Sequence, residues 1–492
     1  MARMFTDGRV LTSRRFWLIP PQSLLAVCLI GVSPLKPLYA QEQKGSVDEF
    51  NLTLAGDSMI QTPASVRAGD PGFMGVVKAL KQGDAVFTNN EQVYPSRKAY
   101  PAATSGNTYM AADPEMVKEL QWMGYNMVAA SNNHSLDYGI QGVLDTIDTF
   151  NKYGMVYAGI GETLGEARAP AYLSTPHGRV ALIACTSTFL EAAPAGDPRP
   201  DLRGRPGLNP LHHGTIYNLD AESFEVFRKT RAGLNLGRGG DQNNASAETV
   251  TFPTIGDPAD KYSPVTFKLS DKFSVVTKAD PADLAGITHS IRDARLLANY
   301  VVTSIHAHEG PPGPNQGSTP AEFLVEFAHA AVDAGTDVFV SHGPLQLRGI
   351  EIYKGKVIFY SLGVITYQPA IVRFLPQDYY NRYGMGPDAR PSEGMTVRNA
   401  LLGEGGGSIT DTLHESVVAR VVFRNRRPVQ VILTPVTLSA GAERADRGIP
   451  RLSDPEMAKL ILEKLQKLSE PYGTKIEVNN GIGTINIPES PK

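Results

Sequence analysis

In the stretch ASNNHSLDYG, Asn132, Asn133 and His134 place two amides and an imidazole side by side directly after an apolar run. Four other polar tips share this plan: Asp57 closes LTLAGD, Glu91 follows VFTNN, His306 and His308 close YVVTSIHAH, and His342 closes DVFVSH. Carboxylates bring charge, imidazoles suit borderline cations, and an amide oxygen is a neutral ligand. Together the tips have the composition of a divalent-metal site assembled from separate loops. Asn90, His308 and Glu309 are further candidates for metal or substrate. Singly, each tip has a plainer reading: GD is an ordinary turn, Glu91 a solvated carboxylate, HAHEG a surface pair, His342 a strand-end histidine, and the two amides a helix cap. Their shared position at strand ends favours one site.

Such tips need strands that finish on one edge. EFNLTLAGDSM, GDAVFTNNEQ, MVYAGIG and RVALIACTSTF read as short strands. They alternate with a helix over Pro114–Gly124, opened by Asp113 as N-cap, and a helix on which Ile140, Val143, Leu144, Ile147 and Phe150 recur at helical spacing. Asp137 is expected to orient His134 or to cap the latter helix, with the cap the favoured reading. From about 191 to 279 the rhythm lapses, and turn-rich PAGDPRPDLRGRPGLNP with NLGRGGDQNNASAE predicts an insertion holding one helix near Ser223–Ala232 and some strand. It resumes with a helix carrying Leu284, Ile287, Ile291 and Leu297, the strand to His306, a helix over Ala321–Ala334, the strand to His342, and a hairpin turning at Lys354-Gly355. Beyond Gln368 a loop rich in Gly, Arg and Pro is expected to about Gly407, then two strands, SVVARVVF and VQVILTPV, and a helix near Pro455–Leu468. Alternating strand and helix is the signature of an α/β sheet, whose sites lie in loops at the carboxyl ends of its strands.

The chain of 492 residues fits one large α/β domain with insertions or two to three average domains. A net charge of −3 without a basic run excludes a nucleic-acid footprint. No P-loop or dinucleotide fingerprint is present, which argues against a self-contained ATP-driven ligase. Arg14-Arg15, the apolar stretch Ser23–Val32 and LYA form the order of a secretory signal over residues 1–40, with a twin-arginine route as one option, followed by a spacer over 41–49. The apolar stretch is short for a membrane span. Cleavage after Ala40 removes Cys28 and leaves Cys185, which excludes an internal disulfide and a thiolate metal site. The expectation is an exported protein, periplasmic or extracellular, free or membrane-associated.

LAGDSM, NNEQ, SNNHSLDYG, SIHAHEGPP and SHGPLQLRGIEIYKGKVIFYSLG resemble, in order, the motifs of the bacterial capsule-synthesis family of CapA type, with EARAP and RPGLNP as further segments. The resemblance spans about Phe50 to Gln368 and, faintly, the C-terminal strands. That family is similar to the calcineurin-like metallophosphoesterases. This implies a four-layer α/β/β/α sandwich over 50–368, interrupted by the insertion at about 191–279, with 369–492 packing on the same domain. It implies Asp57 on a first metal, Glu91 as bridging carboxylate, Asn133, His306 and His342 on a second metal, and His134 as proton donor to the leaving group or clamp on a substrate oxygen. Three positions depart from the pattern. Met59 stands where the phosphoesterases carry His, which the capsule family generally lacks too, Leu345 where the family's GHxPH ends in His, and Val364 where SLGN ends in Asn. The first site loses imidazole unless His308 replaces it, so the implied cofactor is about one manganese, iron or zinc ion per chain. The implied activity is a metal-dependent hydrolase or transferase acting on a phosphoester, or on an amide-linked envelope polymer such as poly-γ-glutamate. Membrane-bound capsule-synthesis machinery is the implied partner, and nucleic acid is not. The alternative is a non-enzymatic envelope factor that binds or transports polymer in a degenerate cleft.

Overall fold

All seven residues of the strand Tyr300–His306 are buried, as befits a central parallel strand covered on both faces. Period-two alternation sorts them: Tyr300 and Val302 enter one apolar cluster, while Val301 and Ile305 enter another. The computed structural model describes residues 49–234, 248–252, 265–312, 317–401, 415–438, 443 and 445–488, so the signal over 1–40 lies outside the described residues. Val47 to Lys492 form one compact unit.

Two large sheets dominate. In one, Tyr300–His306 pairs in parallel with Val338–His342 and Gly178–Thr186, and the hairpin Ile350–Tyr353/Lys356–Phe359 extends that sheet. In the other, Glu49–Met59 pairs in parallel with Ala85–Asn90 and Val364–Tyr367, and antiparallel with Glu415–Arg424. Met127–Ala129 and Val156–Ala158 continue it on one side, and Arg427–Leu438 on the other. Phe50, Leu52, Leu54 and Phe87 from this sheet share a core with Leu182, Val302, Val340 and Phe359 from the other. Phe50 stacks on Tyr300 across it at 3.9 Å between ring centroids. The opposite faces are closed by helices. Pro71–Leu80, Met116–Met123 and Gly139–Tyr153 cover the Glu49–Met59 sheet, and Pro281–Leu297 with Glu322–Ala334 the Tyr300–His306 sheet. The class is mixed α/β, as the alternation of elements predicts. Parallel strands bring their carboxyl ends to one edge, so Asp57 lies opposite Asn89, and His306 opposite both His342 and Thr186.

Between 191 and 279 the described residues form a smaller sheet from Thr249–Phe252, Val265–Leu269, His213–Leu219 and Ser274–Ala279, beside the helix Ala221–Gly233. Two local expectations are corrected. Asp113 does not cap a helix at Pro114: it accepts from Glu115 N at 3.0 Å in a preceding turn, and the helix starts at Met116. The stretch after Gln368 is not one loop, since Gln377–Arg382 and Pro391–Leu401 are helices. Their tyrosines Tyr379 and Tyr380 are buried with Tyr109 and Met395, and this packing outweighs the local turn chemistry.

Candidate metal centre

Asp57 is aimed by a defect in its strand. Register shifts beside it against both parallel neighbours mark an irregularity of the kind that redirects side chains. A Cβ on Gly56 would stand 1.9 Å from the Gly363 carbonyl oxygen, so only glycine lets the backbone pass, and Asp57 N then donates to that oxygen at 3.1 Å. The buried Asp57 carboxylate accepts from Asn89 Nδ2 at 2.7 Å and from Gly343 N at 3.1 Å. Its Oδ1 lies 3.8 Å from His306 Nδ1 and 3.7 Å from His342 Nδ1. Asn89 Nδ2 also meets His306 Nδ1 at 3.1 Å, so one amide ties the carboxylate to the imidazole.

On the other side of His306, Nε2 lies 3.6 Å from Glu91 Oε1 and 3.0 Å from His308 Nε2. The strand ends at His306, and His308, two residues on, stays on the side of His306, as alternation along a strand places it. Glu91, His306 and His308 each offer a ligand atom, all within 4.8 Å of one another, a grouping able to hold a metal ion. His134 Nε2 is 3.9 Å from Glu91 Oε1, and its Nδ1 is 2.6 Å from Asp137 Oδ2. Asp137 therefore orients His134. It also accepts from Gly106 N and Met110 N, while the helix from Gly139 has Tyr138 at its cap position and no side-chain cap, which corrects the capping expectation.

Burial sets the protonation states. It pulls His306 down to about 3 and His342 to about 4, and lowers His308 likewise, so these imidazoles are neutral with lone pairs available to a cation. Burial, then the Asp57 and Asp137 charges, push Glu91 well above the usual carboxylate range. Four buried ligand atoms have no hydrogen-bond partner: Glu91 Oε2, Asn133 Oδ1 and both ring nitrogens of His342. An unsatisfied buried polar group costs about 1–3 kcal/mol, so this donor set fits a divalent ion.

The expected site residues fall into three groups. Asp57, Glu91, His134, His306, His308 and His342 are joined by the contacts above. Asn133 donates to Gly106 O at 3.1 Å and keeps its oxygen unpartnered, whereas Asn132 binds Asn90 O and the His134 N–H and shapes the loop. Asn90 and Glu309 are engaged elsewhere: Asn90 with Gln92 O and Tyr94 Oη, Glu309 with the Ser187 and Thr188 hydroxyls. Asn89 was missed by sequence reasoning, although alternation places it with Glu91 on the face opposite Asn90. Leu345, with φ of 57°, packs in an apolar cluster with Met59, Met110 and Val372.

Residues 51–366 match the family described as bacterial capsule synthesis protein PGA_cap. An uncharacterized protein of Sinorhizobium fredii is 32% identical over 452 residues, covering 90% of this chain and 94% of that protein. The capsule biosynthesis protein CapA of Bacillus anthracis is 24% identical, covering 71% of this chain and 68% of its own. The PGA biosynthesis protein CapA of Bacillus subtilis is 23% identical, with coverages of 67% and 66%.

Proposed function

Since the chain belongs to the bacterial capsule synthesis family PGA_cap, we propose that it is an exported, metal-dependent hydrolase or transferase acting on a phosphoester or on an amide-linked envelope polymer such as poly-γ-glutamate. The observation that carries this reading is the Glu91–His306–His308 group with the His134–Asp137 pair beside it. The facing sheets and outer helices support a four-layer sandwich of the metallo-dependent phosphatase type. Manganese, iron or zinc fits the mixed nitrogen and oxygen donors better than calcium. An ion held there supplies Lewis acidity and a lowered pKa for bound water.

The chain's own residues do the rest. Asp137 holds His134 Nδ1, which leaves Nε2 facing Glu91 and the site, placed to pass a proton to a leaving group. Asn89 and Gly343 N fix the Asp57 carboxylate, and Asn89 also steadies His306. Met59 and Leu345, packed together, offer no oxygen or nitrogen ligand, which supports about one ion per chain. That same apolar pair favours the second reading, a non-enzymatic factor that binds envelope polymer. Among the described residues no helix is long and apolar enough to cross a membrane. Cleavage after Ala40 would release a chain beginning near Gln41, to work beside membrane-bound capsule-synthesis machinery.

The test incubates the purified chain, supplied with manganese, iron or zinc, with an aryl phosphodiester and with poly-γ-glutamate. Metal-dependent turnover that is lost in His134→Ala supports the enzyme. Polymer binding without turnover of either substrate would establish the second reading.

A further inference from the structure

Resting on the metal-centre reading above, we infer that Arg348 is a positioning residue: its guanidinium holds the main chain after His306 so that His308 stays at the ion site. Arg348 is fully buried, an expensive place for a charge. The guanidinium spends that charge on main-chain oxygens. Nη2 donates to the carbonyls of His308 at 3.3 Å and Glu309 at 3.1 Å, and Nε donates to Gly317 O at 2.9 Å. One planar fork thus gathers the carbonyls of His308, Glu309 and Gly317, a geometry a lysine ammonium does not reproduce.

The base of this clamp is fixed. Arg348 N donates to Ser361 O at 3.2 Å, and the adjacent Leu347 bridges to Leu362. From the other side Thr188 Oγ1 accepts from His308 N at 2.9 Å, while Ser187 and Thr188 hydroxyls donate to Glu309, whose charge acts on the buried guanidinium. The ring of His308 needs room as well. A Cβ on Gly343, where φ is 111°, would come within 3.0 Å of both His308 Cδ2 and Ala307 C. His308 Nε2 is consequently delivered 3.0 Å from His306 Nε2 through main-chain bonds on both sides of its own Cα. The guanidinium bonds go to the main chain at and after His308, so Arg348 acts through His308.

The experiment titrates cobalt(II) into the metal-free full chain and into Arg348→Lys, Thr188→Val, His308→Ala and the double variant His308→Ala/Arg348→Lys. Affinity and ligand-field spectrum are read for each, with circular dichroism to confirm folding. Arg348→Lys should weaken cobalt binding by about 10–100-fold, the scale for losing a partner that orients a ligand. Its spectrum should shift toward that of His308→Ala, and the double variant should bind no more weakly than His308→Ala alone. Thr188→Val should shift the spectrum the same way by a smaller amount, which keeps the test alive if Arg348→Lys does not fold. A folded Arg348→Lys with native affinity and spectrum overturns the inference, as does full additivity in the double variant. If the native chain binds no cobalt, the metal centre itself falls, and this role with it; cobalt binding that is native-like in His308→Ala removes His308 alone from the site.

Discussion

Two groups flank Asp57, and they are chemical opposites. On one side Glu91, His306 and His308 bring their ligand atoms within 4.8 Å of one another, with His134 at the margin. On the other, two residues beyond Asp57 and two beyond Gly343, Met59 and Leu345 join Met110 and Val372 in an apolar cluster. The same edge of the same fold thus supports a buried polar group with unpartnered ligand atoms and, beside it, an apolar cluster. The strand architecture places residues at the edge without dictating their chemistry; side-chain identity at a few positions decides whether an ion can sit there.

The largest effect should come from breaking the polar side at its centre. His306→Ala deletes the imidazole that touches Asn89, Glu91 and His308, and should lower metal affinity by more than the roughly 10–100-fold that follows loss of an outer-shell partner, with turnover falling to background. Equilibrium dialysis against zinc would show it, and retained affinity would mean the ion, if any, sits elsewhere. Next, His134→Ala should spare metal binding yet reduce kcat by about 10²–10⁴-fold, the usual scale for a lost acid or base. Equal loss of metal in both variants would make His134 a ligand instead.

The pH dependence has a definite sign. Burial pushes Glu91 up and His306, His308 and His342 down, so below the raised Glu91 pKa an ion must displace a proton from that carboxyl and none from these imidazoles. Affinity should therefore rise with pH, approaching tenfold per unit, below the raised Glu91 pKa and level off above it. Calorimetry in buffers of different ionisation enthalpy reads the proton count, and Glu91→Gln should flatten the slope. The smallest effect is expected on the apolar side. Leu345 already occupies the left-handed region, which His tolerates better than most residues, so Leu345→His should fold and raise metal content from about one ion toward two. An unchanged content would show that the apolar cluster is closed to ions by packing and not only by the lack of a ligand.

Much of the polar side was legible in the sequence because it obeys simple periodicity. Apolar runs ending in Asp57, Glu91, His306 and His342 read as strands, and parallel strands of one sheet end on one edge. Asn89 was passed over for Asn90, although the two-residue alternation that buries Phe87 also puts Asn89 with Glu91. His308 was legible beside His306, since residues two apart on a strand share a face, but the contact that holds it there was not. Its main chain past the strand end is held by Arg348 and Thr188, and its ring is given room by Gly343, all distant in sequence. Of the two roles read for Asp137, the favoured cap was the wrong one: a carboxylate before a helix suits a cap, and the fold brings His134 Nδ1 to 2.6 Å instead. The helices after Gln368 were hidden by Gly and Pro and are stabilised by a tyrosine cluster assembled at long range.

The most direct test of the account is elemental analysis of the native chain purified without chelator, paired with a folded His308→Ala variant. The account predicts about one divalent transition ion per native chain and a large loss in the variant, because His308 completes the Glu91–His306 group. No ion in the native chain, or two tightly held ions that survive the loss of His308, would contradict it.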